Sequence, residues 1–239
     1  MRGLGTIFRK EMRAYFVSPI PYVVMALFSA LAAWIFFFER RFWLQNTASL
    51  DGAFFAGLER LLVVLVPLIG MRAWSEERRG GTIETLMTEP VTTTSIVLGK
   101  FLAAWAVVGL CLLSTLGLVI TVATLGDLDM GPVIGGYLGA FLLSGALLAI
   151  ATWISSFTSH QLVAFIVSFL IGGVFIFMQS IADDVKGDVG RLLDAGSLTS
   201  HFRAMGRGVV DLRDVVYFAS AILFFLYLNV RSIENRRYR

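Results

Sequence analysis

Apolar residues come along this chain in six long runs, approximately 20–38, 55–73, 97–125, 133–156, 160–182 and 212–230, separated by short polar stretches. A helix needs roughly 20 apolar residues to cross the hydrocarbon core of a bilayer, and each run qualifies. Strands of a membrane barrel would alternate in polarity and be about half as long; nothing here alternates that way. The pattern predicts an all-α polytopic membrane protein, a single transmembrane domain over 1–239 with six transmembrane helices.

The polar stretches have patterns of their own. In 1–18, Leu4, Phe8, Met12 and Tyr15 recur at helical spacing, while Arg2, Arg9, Lys10 and Arg13 lie mostly elsewhere on the wheel. That fits an amphipathic helix in the membrane interface; a plain positively charged anchor fits as well. Ser18-Pro19 then reads as a cap and helix start for the first span. Pro67 predicts a kink in the second. Trp34 and Trp43 read as interfacial anchors. In the fourth span, Gly135 and Gly139 form one small-residue stripe, and Gly136, Ala140 and Ser144 another. Such stripes let helix backbones approach closely in lipid, within one chain or between two. The segment 183–211 carries two half-turned apolar faces, Val185, Val189, Leu192 and Leu193, then Leu198, Phe202 and Met205. Two amphipathic outer helices fit, with Gly206 and Gly208 ending the second and Asp211 capping the last span.

The stretch from Met71 to Lys100 stands apart, with eight of its thirty residues charged. Trp74 to Arg79 predicts an extension of the second span beyond the membrane. Gly80-Gly81 breaks it, Thr82 can cap a new short helix, and Glu84 favours that helix's positive end. Ile83, Leu86 and Met87 fall at i, i+3, i+4, so one side is apolar, and Pro90 stops it. Thr92 to Ser95 offer caps for the third span. A short helix with an apolar face and a carboxylate cluster suits a groove on another protein. The same residues suit a loop lying on the membrane with a solvated charged side.

Composition agrees with this layout: 57% of residues are hydrophobic and 15% charged, against about 25% charged in soluble domains. With the N-terminus inside, segments 1–19, 72–100, 155–161 and 231–239 hold twelve Lys and Arg against six Asp and Glu, and the outer segments eight against eleven. Both termini are therefore expected in the cytoplasm, and the formal charge of +3 reports topology rather than nucleic-acid binding. Ala30-Leu31-Ala32 looks like a signal cleavage site, but it lies inside an apolar run that continues to Phe38, so a retained helix is expected. Cys111 falls inside the third span, and one cysteine supports neither a disulfide within the chain nor a cysteine-rich metal site. Asp127 and Asp129 supply too few oxygens for a hard cation. No metal site is expected.

The run "WSEERRGGTIETLMTEPVTTTSIVLGK" resembles the coupling region of ABC-2 type transporter permeases. In that family an E-E-R/K-x-x-G-T-x-E-x-L pattern is followed by a Pro and a G-K pair. The matching positions are Glu76, Glu77, Arg78, Gly81, Thr82, Glu84, Leu86, Pro90, Gly99 and Lys100. Residues 8–24 are similar to the family's interfacial connecting helix and first span. Residues 201–239 resemble the branch that holds the gliding-motility-associated permeases and those of nitrous-oxide-reductase maturation. The resemblance implies a subunit of the bacterial inner membrane that pairs as a homodimer and docks a cytosolic ABC ATPase through the helix between spans two and three. Glu76, Glu77 and Arg78 would set the charge match of docking, Gly80, Gly81 and Thr82 the elbow, and Ile83, Glu84, Leu86 and Met87 would enter the ATPase groove. The chain carries no G-x-x-x-x-G-K-[ST] phosphate loop, so it is expected to be non-catalytic and to bind no cofactor. ATP and its magnesium would sit in the partner.

Two rival functions are weaker. A secondary transporter needs ionisable groups at membrane depth, and the cores of the six runs read as free of them, Gln179 and Asn229 being the most polar residues. An intramembrane enzyme needs a nucleophile and base together, yet His160 and His201 fall on opposite sides in this topology. A third reading stays within the resemblance: ATP energy passed mechanically to an accessory membrane or periplasmic partner, without solute movement. Asp183, Asp184, Asp188, Arg191 and Arg203 mark where it would sit.

Overall fold

Six apolar helices, each long enough to cross a membrane, set the architecture. The computed structural model describes residues 3–39, 50, 52–82, 91–185 and 187–237, and all regular structure among them is helical. In chain order these are α1 (Leu4–Val17), α2 (Ile20–Trp34) continuing into a π turn (Ile35–Glu39), α3 (Gly52–Gly70), α4 (Arg72–Arg79), α5 (Thr93–Ser114), α6 (Leu116–Leu125), α7 (Met130–Ser155), α8 (Gln161–Asp184), α9 (Asp188–Gly196), α10 (Leu198–Gly206) and α11 (Leu212–Arg237). The candidate spans are Ile20–Phe38, Phe54–Arg79, Thr93–Leu125, Met130–Ser155, Gln161–Asp184 and Leu212–Asn235. Trp43 and the stretch with Ile83, Glu84, Leu86 and Met87 lie outside the described residues.

Local chemistry explains the helix ends. Thr92 caps α5, its hydroxyl accepting from Ser95 N at 3.3 Å, so the third span starts at Thr93 rather than near 97. Asp129 caps α7 by accepting from Gly131 N at 2.9 Å. At the end of α4, Thr82 N donates to Glu77 O and Gly81 N to Arg78 O, with Gly81 at φ +68°. This paired closure requires a left-handed residue after the helix, which glycine adopts without a Cβ penalty.

Phe54–Arg79 and Met130–Ser155 have 26 residues each and Thr93–Leu125 has 33, so each measures at least about 39 Å against a hydrocarbon core of about 30 Å. The second and third spans run past the fourth at the α4 end. There Trp74 N and Ser75 N both donate to Ser155 Oγ, at 3.0 and 3.1 Å, next to the last residue of α7. The final turns of α4 and the first of α5 therefore stand beyond the end of α7. α1 packs against α5 at this end, and Ser156 Oγ meets Ser232 Oγ of α11 at 2.9 Å.

The core sits on α7, which packs against α3, α5, α8, α10 and α11. Its small residues make this possible. A Cβ on Gly135 would strike the carbonyl of Met205, one on Gly136 the ring of Phe55, and one on Gly139 would press on Phe202 and Met205. Ala140 is fully buried beside them. The stripe thus seats α3 and α10 of the same chain. Gly136→Ala is expected to destabilise the bundle by about 1–3 kcal/mol through overpacking, with Phe55→Leu in the same chain recovering part of the loss. Thermal unfolding in detergent reads both. Elsewhere the surface stays apolar: Leu113, Leu170, Phe177 and Leu223 are all more than half exposed, as a lipid-facing surface requires.

Candidate functional site

At the α4 end, three distant segments converge on one cation. Lys100 belongs to the first turns of α5, where an ammonium buried in an apolar bundle needs partners. It finds two: Nζ lies 2.9 Å from Glu11 of α1 and 2.6 Å from Glu77 of α4, with only 5% of its side chain exposed. The ammonium also sits 5.4 Å from the centre of the fully buried Trp74 ring, within reach of a cation–π attraction. Gly99 supplies the close approach beside it, since a Cβ there would press on Ile7. One lysine therefore ties the α1 helix to the helix that carries the elbow.

Around this knot, Arg72 and Glu76 pair at 3.0 Å along one face of α4, and Glu76 remains more than half exposed. Glu77 faces inward to Lys100, whereas Glu76 and Arg79 face outward. A groove of about 240 Å³ runs between α1 and α4, lined by Lys10, Tyr15, Arg72 and Glu76 among others. Burial, with Glu11 close by, pushes the Tyr15 hydroxyl above the ordinary phenolic pKa, so it stays a neutral donor. Trp74 Nε1 and Glu77 Oε2 are buried without a hydrogen-bond partner among the described residues. The structure thus brings Glu76, Glu77, Arg78, Gly80, Gly81 and Thr82 to one protruding corner. Ile83, Glu84, Leu86 and Met87 continue from it, outside the described residues.

The opposite end of the bundle holds polar groups that sequence reading missed. Glu59 of α3 is 3% exposed and accepts from the hydroxyl of Thr199 of α10. His201 of α10 is buried, with Nδ1 2.6 Å from Asp214 of α11 and Nε2 3.3 Å from Ala195 O. Its ring stacks on Tyr217 at 3.9 Å, and the Tyr217 hydroxyl donates to Gly196 O at 2.6 Å. The expectation concerned the cores of the spans; towards the span ends, Glu59, Lys100 and Asp214 lie within candidate spans and are buried. Each sits near a span end and is matched to a partner that only the tertiary fold supplies. His201, which lies in the segment 183–211, is a buried link between α10 and α11. His201→Ala is expected to leave Asp214 without its donor and loosen 185–212 by about 1–3 kcal/mol. Limited proteolysis of that segment should then run several-fold faster than in the parent protein.

Arg191 and Arg203 line one open cavity at this end. Asp188 pairs with Arg191 at 3.4 Å on the exposed surface. Asp183 and Asp184 are exposed at the end of α8. Asn229 is 1% exposed, and neither amide atom has a partner among the described residues; nothing in the structure explains it.

A family model described as ABC-2 family transporter protein matches residues 5–189, from α1 through the elbow to the start of α9. No curated protein matches the chain.

Proposed function

The chain belongs to the ABC-2 transporter family, and from that premise we propose that it is the membrane-spanning permease subunit of an ABC transporter of the bacterial inner membrane. Both termini and the elbow would face the cytoplasm, in keeping with the excess of Lys and Arg at that end. A copy of the same chain would complete the membrane unit. A separate cytosolic ATPase, holding ATP and magnesium, would dock on residues 83–90. The single observation that carries this reading is the Lys100 knot. The helix that leads into the elbow is tied down: one buried ammonium on α5 binds both Glu77 of α4 and Glu11 of α1.

That arrangement suits force transmission. A push on 83–90 passes through α4, whose last turn closes on Gly81, and through α5, whose cap is Thr92. Because Lys100 joins α4, α5 and α1, the three would move together. Glu76 and Arg79, which point outward, are the charges available to a docked partner; Glu77 would instead hold the elbow's angle. Co-reconstitution tests this reading: an ATPase from the same operon or complex should hydrolyse ATP faster with the permease than alone, and Glu76→Lys should reduce that stimulation.

A second reading keeps the same engine but moves no solute. ATP-driven motion would pass to a periplasmic or accessory membrane partner seated on 183–211, as in the gliding-motility and nitrous-oxide-reductase-maturation branch that residues 201–239 resemble. The exposed Val189 and Leu192 of α9 favour it. The family match ends at 189, so it supports the family and not the branch.

A further inference from the structure

At the end of the bundle away from the elbow, α9 stops at Gly196 and the chain turns directly into α10 at Leu198. The last carbonyls of a helix have no donor within it. Here three consecutive ones find a donor on a side chain of α10 or α11. Asp194 O accepts from the Ser200 hydroxyl at 2.7 Å, Ala195 O meets His201 Nε2 at 3.3 Å, and Gly196 O accepts from the Tyr217 hydroxyl at 2.6 Å. α9 is thus fastened by its C-terminal end to α10 and α11.

The donors differ in how they depend on protons. A Ser or Tyr hydroxyl carries one hydrogen to give, whereas an imidazole carries one N–H when neutral and two when protonated. His201 meets acceptors at both nitrogens, since Nδ1 lies 2.6 Å from Asp214 Oδ1. A carboxylate and a carbonyl accept and do not donate. A neutral ring satisfies one of them and turns a lone pair on the other. Only 8% of His201 is exposed, so water has little access to stand in for a missing N–H. The pairing at both nitrogens therefore belongs to the imidazolium. The end of α9 suits that charge, because a helix C-terminus is the negative end of its dipole.

The surrounding charges come from several elements. Glu59 and Arg60 belong to α3, and Glu59 reaches His201's helix through Thr199. Arg191 and Asp194 of α9, Arg203 of α10, and Arg207, Asp211 and Arg213 towards α11 line the same cavity as His201. Asp188 lies at the far end of α9, where it pairs with Arg191. α7 has no charged residue between Met130 and Ser155, and Asp183 and Asp184 are exposed at the end of α8. Carboxylates and guanidiniums ordinarily titrate on either side of the range between about pH 5 and 8 in which an imidazole changes charge. Glu59 is the buried carboxyl that a test must separate from His201.

We infer that His201 is a proton-operated latch on α9. The imidazolium fastens the C-terminal end of α9 to α11. Loss of one proton releases Ala195, because the remaining N–H stays with Asp214, a charged and therefore stronger acceptor. The latch is closed on the acid side and opens as pH rises through the imidazole range. Ala195, His201 and Asp214 all line the open cavity of about 1140 Å³ at this end, so release loosens one wall of it. The inference is independent of ATPase docking, which lies at the other end of the molecule.

The chain has two histidines, and His160 is exposed on another element, so H160Q leaves a single imidazole to observe. Full-length H160Q with isotope-labelled histidine nitrogens would be studied by magnetic resonance in nanodiscs. Both ring nitrogens of His201 should carry hydrogen near about pH 5, and Nε2 should lose its hydrogen by about pH 8. Hydrogen exchange of the amides of 188–197, corrected for the intrinsic effect of pH on exchange, should rise several-fold over the same range. E59Q should keep that rise. H201A should abolish it, exchanging at the fast level at both ends of the range. If H201A does not fold, the H160Q protein still decides, because ring protonation and exchange are both read on it. A ring that keeps one protonation state throughout, exchange that does not follow the ring, or a rise that disappears in E59Q or persists in H201A overturns the inference.

Discussion

Replacing Lys100 with methionine is expected to release α1 from the elbow and to destabilise the protein by about 3 kcal/mol. Methionine keeps the apolar stem and removes only the ammonium. Glu11 and Glu77 then face one another with no cation between them, and breaking one partner out of a buried charge cluster typically costs about 3–5 kcal/mol. The lower end applies because each glutamate side chain is about one-fifth exposed, so water relieves part of the loss. A lowered unfolding midpoint in detergent would report the stability change. Protease cleavage near residues 1–18 would report the detachment. Removing the two negative charges as well, in E11Q/K100M/E77Q, should restore much of the stability, because a neutral cluster no longer repels itself. It should not restore coupling, because the link between the three helices stays absent. A single K100M variant as stable as the parent would show that the knot is not what holds α1 to α4.

The second large effect is expected at Leu86. Its position with Ile83 and Met87 makes the apolar side of the short segment after the elbow. If that side enters a groove on the ATPase, Leu86→Glu places a charge in an apolar contact, which is costly unless the charge is paired. Loss of one central interface side chain costs on the order of 2 kcal/mol or more, which is roughly a thirtyfold weakening. Permease-stimulated ATP hydrolysis should fall toward the basal rate of the ATPase alone, while the variant folds and inserts normally, since Leu86 belongs to none of the six apolar runs. Full stimulation by Leu86→Glu would mean that the partner grips another surface.

The two ends of the molecule differ in how much of them is legible in the sequence. Six long apolar runs, with no alternation, leave a helical membrane bundle as the only architecture, and Thr92, Asp129 and Gly81 mark helix ends by chemistry that acts over a few residues. The family resemblance also rests on a contiguous stretch, Trp74 to Lys100. The charged links are different. Lys100 and Glu11 are 89 positions apart and Glu59 and Thr199 are 140 apart, and no local pattern announces such pairs. Glu59 lies inside the run 55–73, and only folding turns it inward to Thr199. His201 and Asp214 are 13 positions apart and are separated by a glycine turn, so neither periodicity nor spacing joins them. A hint was available: a lysine just inside a capped helix start, with no neighbouring carboxylate in sequence, must find its counter-charge elsewhere in the fold.

The central claim is that the elbow is where a separate ATPase takes hold. The most direct test is a native pull-down of the full-length protein from gently solubilised membranes, with mass spectrometry of partners present in stoichiometric amounts. The account predicts a phosphate-loop ATPase at one copy per permease, lost when Leu86 is replaced by glutamate. Recovery of the permease without any such ATPase, from membranes in which other ABC complexes survive intact, would contradict it.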